Sequence, residues 1–134
     1  MNICGIELKS NTTIVSVIKS NDEIEFINTK IKKFTLENDE ELQSILKFQK
    51  EIESFLQENT IDKIALKKRA KKGTFAGGAV TFKSEAIIQL NSICEVVFVS
   101  SQAITKYTKA NDVILPNELN KYQEQAYLSS LLLV

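Results

Sequence analysis

Apolar and polar residues alternate from the start of the chain. Over residues 1–9, Cys4, Ile6 and Leu8 fall on one face and Ile3, Gly5, Glu7 and Lys9 on the other, a period of two that predicts a β-strand. A polar turn at Ser10 and Asn11 leads into a β-branched run, Thr12, Thr13, Ile14, Val15, Val17 and Ile18, so residues 12–19 are expected to return as the second arm of a hairpin. Ser20, Asn21 and Asp22 mark the next turn. Residues 23–34 then predict a third antiparallel strand whose lysines suit an exposed edge.

The spacing then becomes helical. From residue 38, Leu42, Ile45, Leu46, Gln49, Ile52, Phe55 and Leu56 make one stripe, with Asn38 or Asp39 as the cap and Asn59 as the stop. Residues 62–68 predict a strand buried at Ile64, Ala65 and Leu66. A helix over residues 76–91 is expected to turn Val80, Ala86, Ile87 and Leu90 toward the sheet. The run 94–99, CEVVFV, has the near-continuous apolar character of a strand covered on both faces. Ser100 or Ser101 caps a short helix through Lys109, and Pro116 precedes a last helix that begins at Asn117 or Glu118.

The order β-β-β-α-β-α-β-α-α predicts an α/β fold. A meander followed by two right-handed crossovers gives a five-stranded mixed sheet of order 3-2-1-4-5, with helices on both faces. At 134 residues, one domain spanning 1–134 is expected.

Composition narrows the chemistry. Lysine and arginine balance aspartate and glutamate at 17 each, so an electrostatic partner must be met by a local patch. There is no histidine, which removes the usual general base and every Ser/His or Cys/His arrangement. The two cysteines, Cys4 and Cys94, lie in apolar runs and read as reduced core residues, and no stretch reaches the ~20 apolar residues of a membrane span. A cytoplasmic protein without membrane contact is expected.

One patch stands out. The strand ending at residue 68 delivers Lys67, Lys68, Arg69, Lys71 and Lys72 into a loop followed by Gly73, Gly77 and Gly78, then a helix start. Cations and unpaired backbone N–H groups converge in such a layout, and open α/β sheets bind ligands at the carboxyl ends of their strands. Phosphate is the anion that lysine, arginine and close-approaching glycine backbone suit best, and Phe75, Phe82 and Tyr107 are candidate stacking surfaces. The loop is not a P-loop, because Ala79 follows where that motif needs Lys. The plainer reading is a solvated loop that pairs with the acidic first helix.

The element order and four short motifs resemble the ribonuclease H-like superfamily, in its RuvC and YqgF resolvase-like branch. Cys4-Gly5-Ile6-Glu7-Leu8-Lys9 resembles the family's first strand, and Asp62-Lys63-Ile64-Ala65-Leu66-Lys67 its fourth. Val99-Ser100-Ser101-Gln102 resembles the exit from the fifth strand, and Tyr122-Gln123-Glu124-Gln125-Ala126 the start of the last helix. The loop KKRAKKG with FAGGA is also similar to a small family of uncharacterised bacterial proteins described only as a domain of unknown function.

The resemblance implies a nuclease site in which acidic residues from the first strand, fourth strand and last helix hold Mg²⁺. This chain departs from it, with Glu7, Lys67 and Gln125 at those positions. The departure predicts that Lys67 reaches Glu7 and stands as a fixed charge where the metal would sit. It points away from catalysis and implies no cofactor; Mg²⁺ enters only for a divergent metal-dependent nuclease using Glu7 with Glu85 or Glu124. The expected functions are, in order, a non-catalytic phosphate or nucleic-acid-binding module gripping through Lys67, Lys68, Arg69, Lys71, Lys72, Gly73, Gly77 and Gly78; a protein-interaction or regulatory subunit whose basic loop docks an acidic or phosphorylated partner; and that nuclease. The apolar residues 128–134 are expected to be buried within the fold, with a homodimer contact as the second reading.

Overall fold

The computed structural model describes residues 1–73 and 78–134. Expectations placed on Phe75, Ala76 and Gly77 fall outside the described residues. The sheet is built from β1 (Asn2–Lys9), β2 (Thr12–Ser20), β3 (Ile24–Ile27), β4 (Lys33–Thr35), β5 (Lys63–Lys67) and β6 (Glu95–Val99). Its helices are α1 (Leu42–Glu58), α2 (Ala79–Gln89), α3 (Ser101–Ala110) and α4 (Glu124–Leu131), with a 3₁₀ turn at Lys121–Gln123 leading into the last. The strand order is β3-β2-β1-β5-β6, so the first strand lies at the centre as expected. β1 runs antiparallel to β2 and parallel to β5, with Ile3 opposite Lys63 and Ile6 opposite Leu66.

The sheet has six strands rather than five, because the expected third strand is broken in two. β3 pairs with the end of β2 at residues 17–20, and β4 pairs with its start at residues 12–14. Between them the regular ladder is interrupted. The Thr29 hydroxyl donates to the Ile31 carbonyl at 2.7 Å and the Lys32 ammonium to the Thr29 carbonyl at 2.9 Å, while the Val15 N–H still donates to the Lys32 carbonyl at 3.0 Å, so local side-chain bonds shape a bulged segment that stays tied to β2.

Strand alternation sends side chains into two cores. Cys4, Ile6, Leu8, Val15, Val17, Ile64 and Leu66 pack with Phe48, Ile52, Phe55 and Leu56 of α1 and Ile88 of α2. On the other face Ile3, Ile18, Ala65 and Val99 meet Ile104 of α3 and Tyr127, Leu128 and Leu131 of α4. Each such fully buried side chain contributes about 1.5–3 kcal/mol.

Several packing expectations are corrected. In α1 the seam runs through Phe48, whereas Leu42 and Leu46 are exposed; the helix begins at Leu42, behind a turn in which the Glu40 N–H donates to the Asn38 side chain. In α2 Val80 and Ile87 pack against the first core as expected, beside buried Thr81, Ser84 and Ile88, while Leu90 is 72% exposed because the helix ends there and Ala86 is exposed. Among the described residues β6 is an edge strand with only β5 beside it, and Phe98 is exposed rather than covered on both faces. The last helix starts at Glu124, later than expected, because a capping box between Asn120 and Gln123 sets its entry. The Ser100 cap is as expected, its hydroxyl accepting from the Ala103 N–H at 3.0 Å. Leu128 and Leu131 are buried in the fold.

Cys4 is fully buried and Cys94 half-buried, and both are free thiols. Burial raises the Cys4 thiol, with neighbouring Cys94 adding to the effect. Burial, reinforced by the Asp62 and Glu95 carboxylates, pushes the Cys94 thiol up to about 11 from an ordinary 9.0. The folded chain therefore keeps protons that the unfolded chain releases above pH 9.0, so stability falls as pH rises from there toward 11. Urea midpoints measured from about pH 8 to about pH 10 are expected to drop, and a Cys4→Ser, Cys94→Ser variant is expected to drop less. Equal slopes would remove the thiols as the cause. No described helix is long and apolar enough to cross a membrane.

Candidate nucleic-acid interface

β1, β5 and β6 are parallel to one another, so their carboxyl ends share one edge of the sheet. Alternation places Glu7 on the α4 face, two residues beyond Gly5. Lys67 lies on the same face of the neighbouring strand, one residue past the last register pair of Ile6 with Leu66. α4 crosses directly over this point. A Cβ on Gly5 would fall onto the Ala126 carbonyl and come within 3.0 Å of the Ser130 nitrogen, so the missing side chain is what admits the helix backbone.

That approach brings Gln125 onto the two strands. The Lys67 ammonium donates to the Gln125 side-chain carbonyl at 3.0 Å and stands 3.5 Å from a Glu7 carboxylate oxygen. Side chains of Glu7 and Lys67 are 5% and 14% exposed, so this is a buried pair; Lys9, 59% exposed, lies 4.0 Å from the other Glu7 oxygen. Glu7, Lys67 and Gln125 thus meet, whereas Glu85 does not join them.

This donor set does not fit a divalent ion. A hard cation needs several anionic or carbonyl oxygens at short range, and here an ammonium already occupies the shared direction of the carboxylate and the amide. Among the described residues no group of three acidic or cysteine side chains is placed to hold a metal. Glu85 lines a separate cleft of about 290 Å³ with Lys68, Arg69, Lys71, Gln89 and Phe98. Glu124 lines a cleft of about 520 Å³ together with Glu7, Lys9, Lys121, Tyr122 and Gln125. Glu85 is not in that cleft, and Glu7 and Glu124 there have no third acidic or cysteine side chain among the described residues to complete a metal group.

The basic loop opens the other way along the same edge. Lys68, Arg69, Ala70, Lys71 and Lys72 form one wall of a cleft of about 420 Å³, and Ser100, Ser101 and Gln102 at the start of α3 form the other. The Lys68 N–H donates to the Val99 carbonyl at 2.8 Å, holding the loop's base against β6. Gly73 turns the chain with φ of 93°, a backbone that favours glycine, while a Cβ on Gly73 or Gly78 would meet only open space. Gly78 is thus not there for tight packing.

The ordinary explanation of the loop, pairing with the acidic first helix, is not what the charges do. Ion pairs among the described residues join Lys47 to Glu37 and Lys83 to Asp39, and none involves Lys68, Arg69, Lys71 or Lys72. The Arg69 Nε is shielded from water without a hydrogen-bond partner. A donor in that state gains from any acceptor that enters.

Two wall residues and one aromatic escape sequence reasoning. Ser101 and Gln102 read as an ordinary helix start, and their role as the facing wall depends on the β6–α3 turn lying beside the loop. Phe98, not Phe82 or Tyr107, is the exposed ring beside the cations; the latter two are half-buried, Tyr107 against the second core. Phe98 was legible only as part of an apolar strand.

The fold is that of the resolvase-like ribonuclease H group. The structure of Thermus thermophilus RuvC matches with a TM-score of 0.73 over 98% of this chain and 92% of that one, at 8% identity. T. thermophilus RuvC in complex with Holliday junction substrate matches at 0.68, over 98% and 90%, at 9% identity. The fowlpox virus Holliday junction resolvase matches at 0.51, over 98% and 93%, at 12% identity. In sequence, residues 1–132 match the family described as "Protein of unknown function (DUF3010)", and the chain belongs to that family. No curated protein sequence matches it.

Proposed function

We propose that this chain is a non-catalytic module that holds the phosphates of nucleic acid at the carboxyl edge of its sheet. The observation that carries this reading is the Lys67 ammonium set between Glu7 and Gln125, with four further cations opening onto the adjacent cleft. The first feature sets a tethered positive charge at the positions where the resemblance implies metal-holding acids. The second supplies cations that form no ion pair with a described carboxylate, Glu85 lining a neighbouring cleft with three of them. A protein of the same fold is held in a complex with a Holliday junction, which makes branched DNA the first ligand to test.

Anisotropy titrations with labelled single strands, duplexes, four-way junctions and RNA in chelator are expected to show metal-independent binding. Contact with Lys68, Arg69, Lys71 and Lys72 gives a slope of log K on log salt of about −3 for single strands. Lys71→Glu with Lys72→Glu is expected to abolish most of the affinity. Absence of binding to every probe at about 50 mM salt would overturn the reading.

One observation favours a second reading, an interaction subunit. The β6 edge has no further strand and exposes Phe98 beside the cation loop, a combination suited to an acidic extended segment.

A further inference from the structure

Outside the Glu7 site, the largest described cleft, about 770 Å³, lies over the outer face of α3. Its lining is Ser101, Gln102, Thr105, Lys106, Lys109 and Ala110. These positions repeat at the helical spacing of one face, and all six are exposed. The inner face of the same helix is anchored by buried Ile104 against the second core, so the orientation of the stripe is fixed.

Ser101 and Gln102 also line the cleft of the basic loop, so the two clefts meet end to end. Along the joined surface Lys68, Arg69, Lys71 and Lys72 are followed by Gln102, Thr105, Lys106 and Lys109. The described lining includes no acidic residue. Among the described residues neither Lys106 nor Lys109 forms an ion pair. In a chain of zero net charge, the lining of these two clefts carries one sign from a strand end onto a helix, with Glu85 in the adjoining cleft beside Lys68, Arg69 and Lys71.

We propose that the outer face of α3 is a second phosphate-tracking surface, which extends the nucleic-acid footprint from the basic loop out to Lys109. The inference rests on the reading of the loop as a nucleic-acid site and adds to it a length and a direction. From Gln102 to Lys109 the helix rises about 10 Å, and phosphates of one duplex strand advance about 3.4 Å each, so the strip covers about three nucleotides beyond the loop. A nucleic-acid strand is the fitting occupant because the lining offers hydroxyl, amide and ammonium groups in sequence along one helix face and continues the cations of the loop.

The test compares the intact chain with Lys106→Ala/Lys109→Ala, and with Lys47→Ala/Lys50→Ala as a control on α1, across the sheet. Binding to labelled single strands is followed against salt, with circular dichroism as a check of fold. The α3 variant is expected to lose several-fold in affinity and to flatten the salt slope by about 1.4, two phosphate contacts at about 0.7 each. The control is expected to keep both. If the intact chain binds and the α3 variant matches it in affinity and slope, the tracking surface is overturned while the loop site stands. If the intact chain binds nothing, both fall together.

Discussion

Replacing Lys67 by methionine is expected to destabilise the chain by about 3–5 kcal/mol, because it leaves the Glu7 carboxylate buried beside an amide and a distant ammonium. The loss follows from geometry. Glu7 is 5% exposed and its near partner is Lys67 at 3.5 Å, while Lys9 is mostly in water at 4.0 Å and screened accordingly. Gln125 would in addition lose the donor to its side-chain carbonyl. Urea denaturation should show a lower midpoint with an unchanged slope. The companion variant Lys67→Met with Glu7→Gln removes both charges and is expected to recover more than half of the loss. A loss below about 1 kcal/mol in the single variant would mean that the pair is not the buried lock described.

Gly5→Ala is expected to cost at least about 3 kcal/mol, and Gly5→Val to prevent folding. The new methyl meets the Ala126 carbonyl and approaches the Ser130 nitrogen, both backbone atoms of a helix that has no tip to swing aside. α4 would have to lift from β1, withdrawing Gln125 from Lys67 and opening the core around Tyr127, Leu128 and Leu131. Gly73→Ala, by contrast, meets nothing in space and strains only a turn, so it serves as the comparison in the same denaturation series. Equal midpoints for Gly5→Ala and the unaltered chain would show that α4 does not press on β1 as described.

Much of this arrangement was legible in the residues. Alternation in residues 1–9 put Gly5 and Glu7 on one face, and the ordering of strands around β1 followed from a meander and two crossovers. The meeting of Lys67 with Glu7 and Gln125 was visible because the resemblance aligned those three positions on adjacent strands and the last helix. What the pattern did not carry was exposure. CEVVFV is apolar enough for an interior strand, yet it stands at an edge, since pairing is decided by what lies beyond it. Leu42, Leu46 and Leu90 share helical spacing with core residues but sit where the sheet no longer reaches. The break between β3 and β4 turns on a Thr29 hydroxyl competing with the ladder, which no hydrophobic period records.

The dependence of the central strands on α4 has a temporal consequence. Gln123 donates from its buried amide to the Val15 carbonyl across 108 positions of sequence, and Lys67 reaches Gln125 across 58. During synthesis at about 5–20 residues per second, the meander is ready many seconds before the segment that roofs it, leaving Ile3, Ile18 and Ala65 uncovered on one side. A nascent chain must therefore wait, half-clad and prone to sticking, until α4 follows to close over β1.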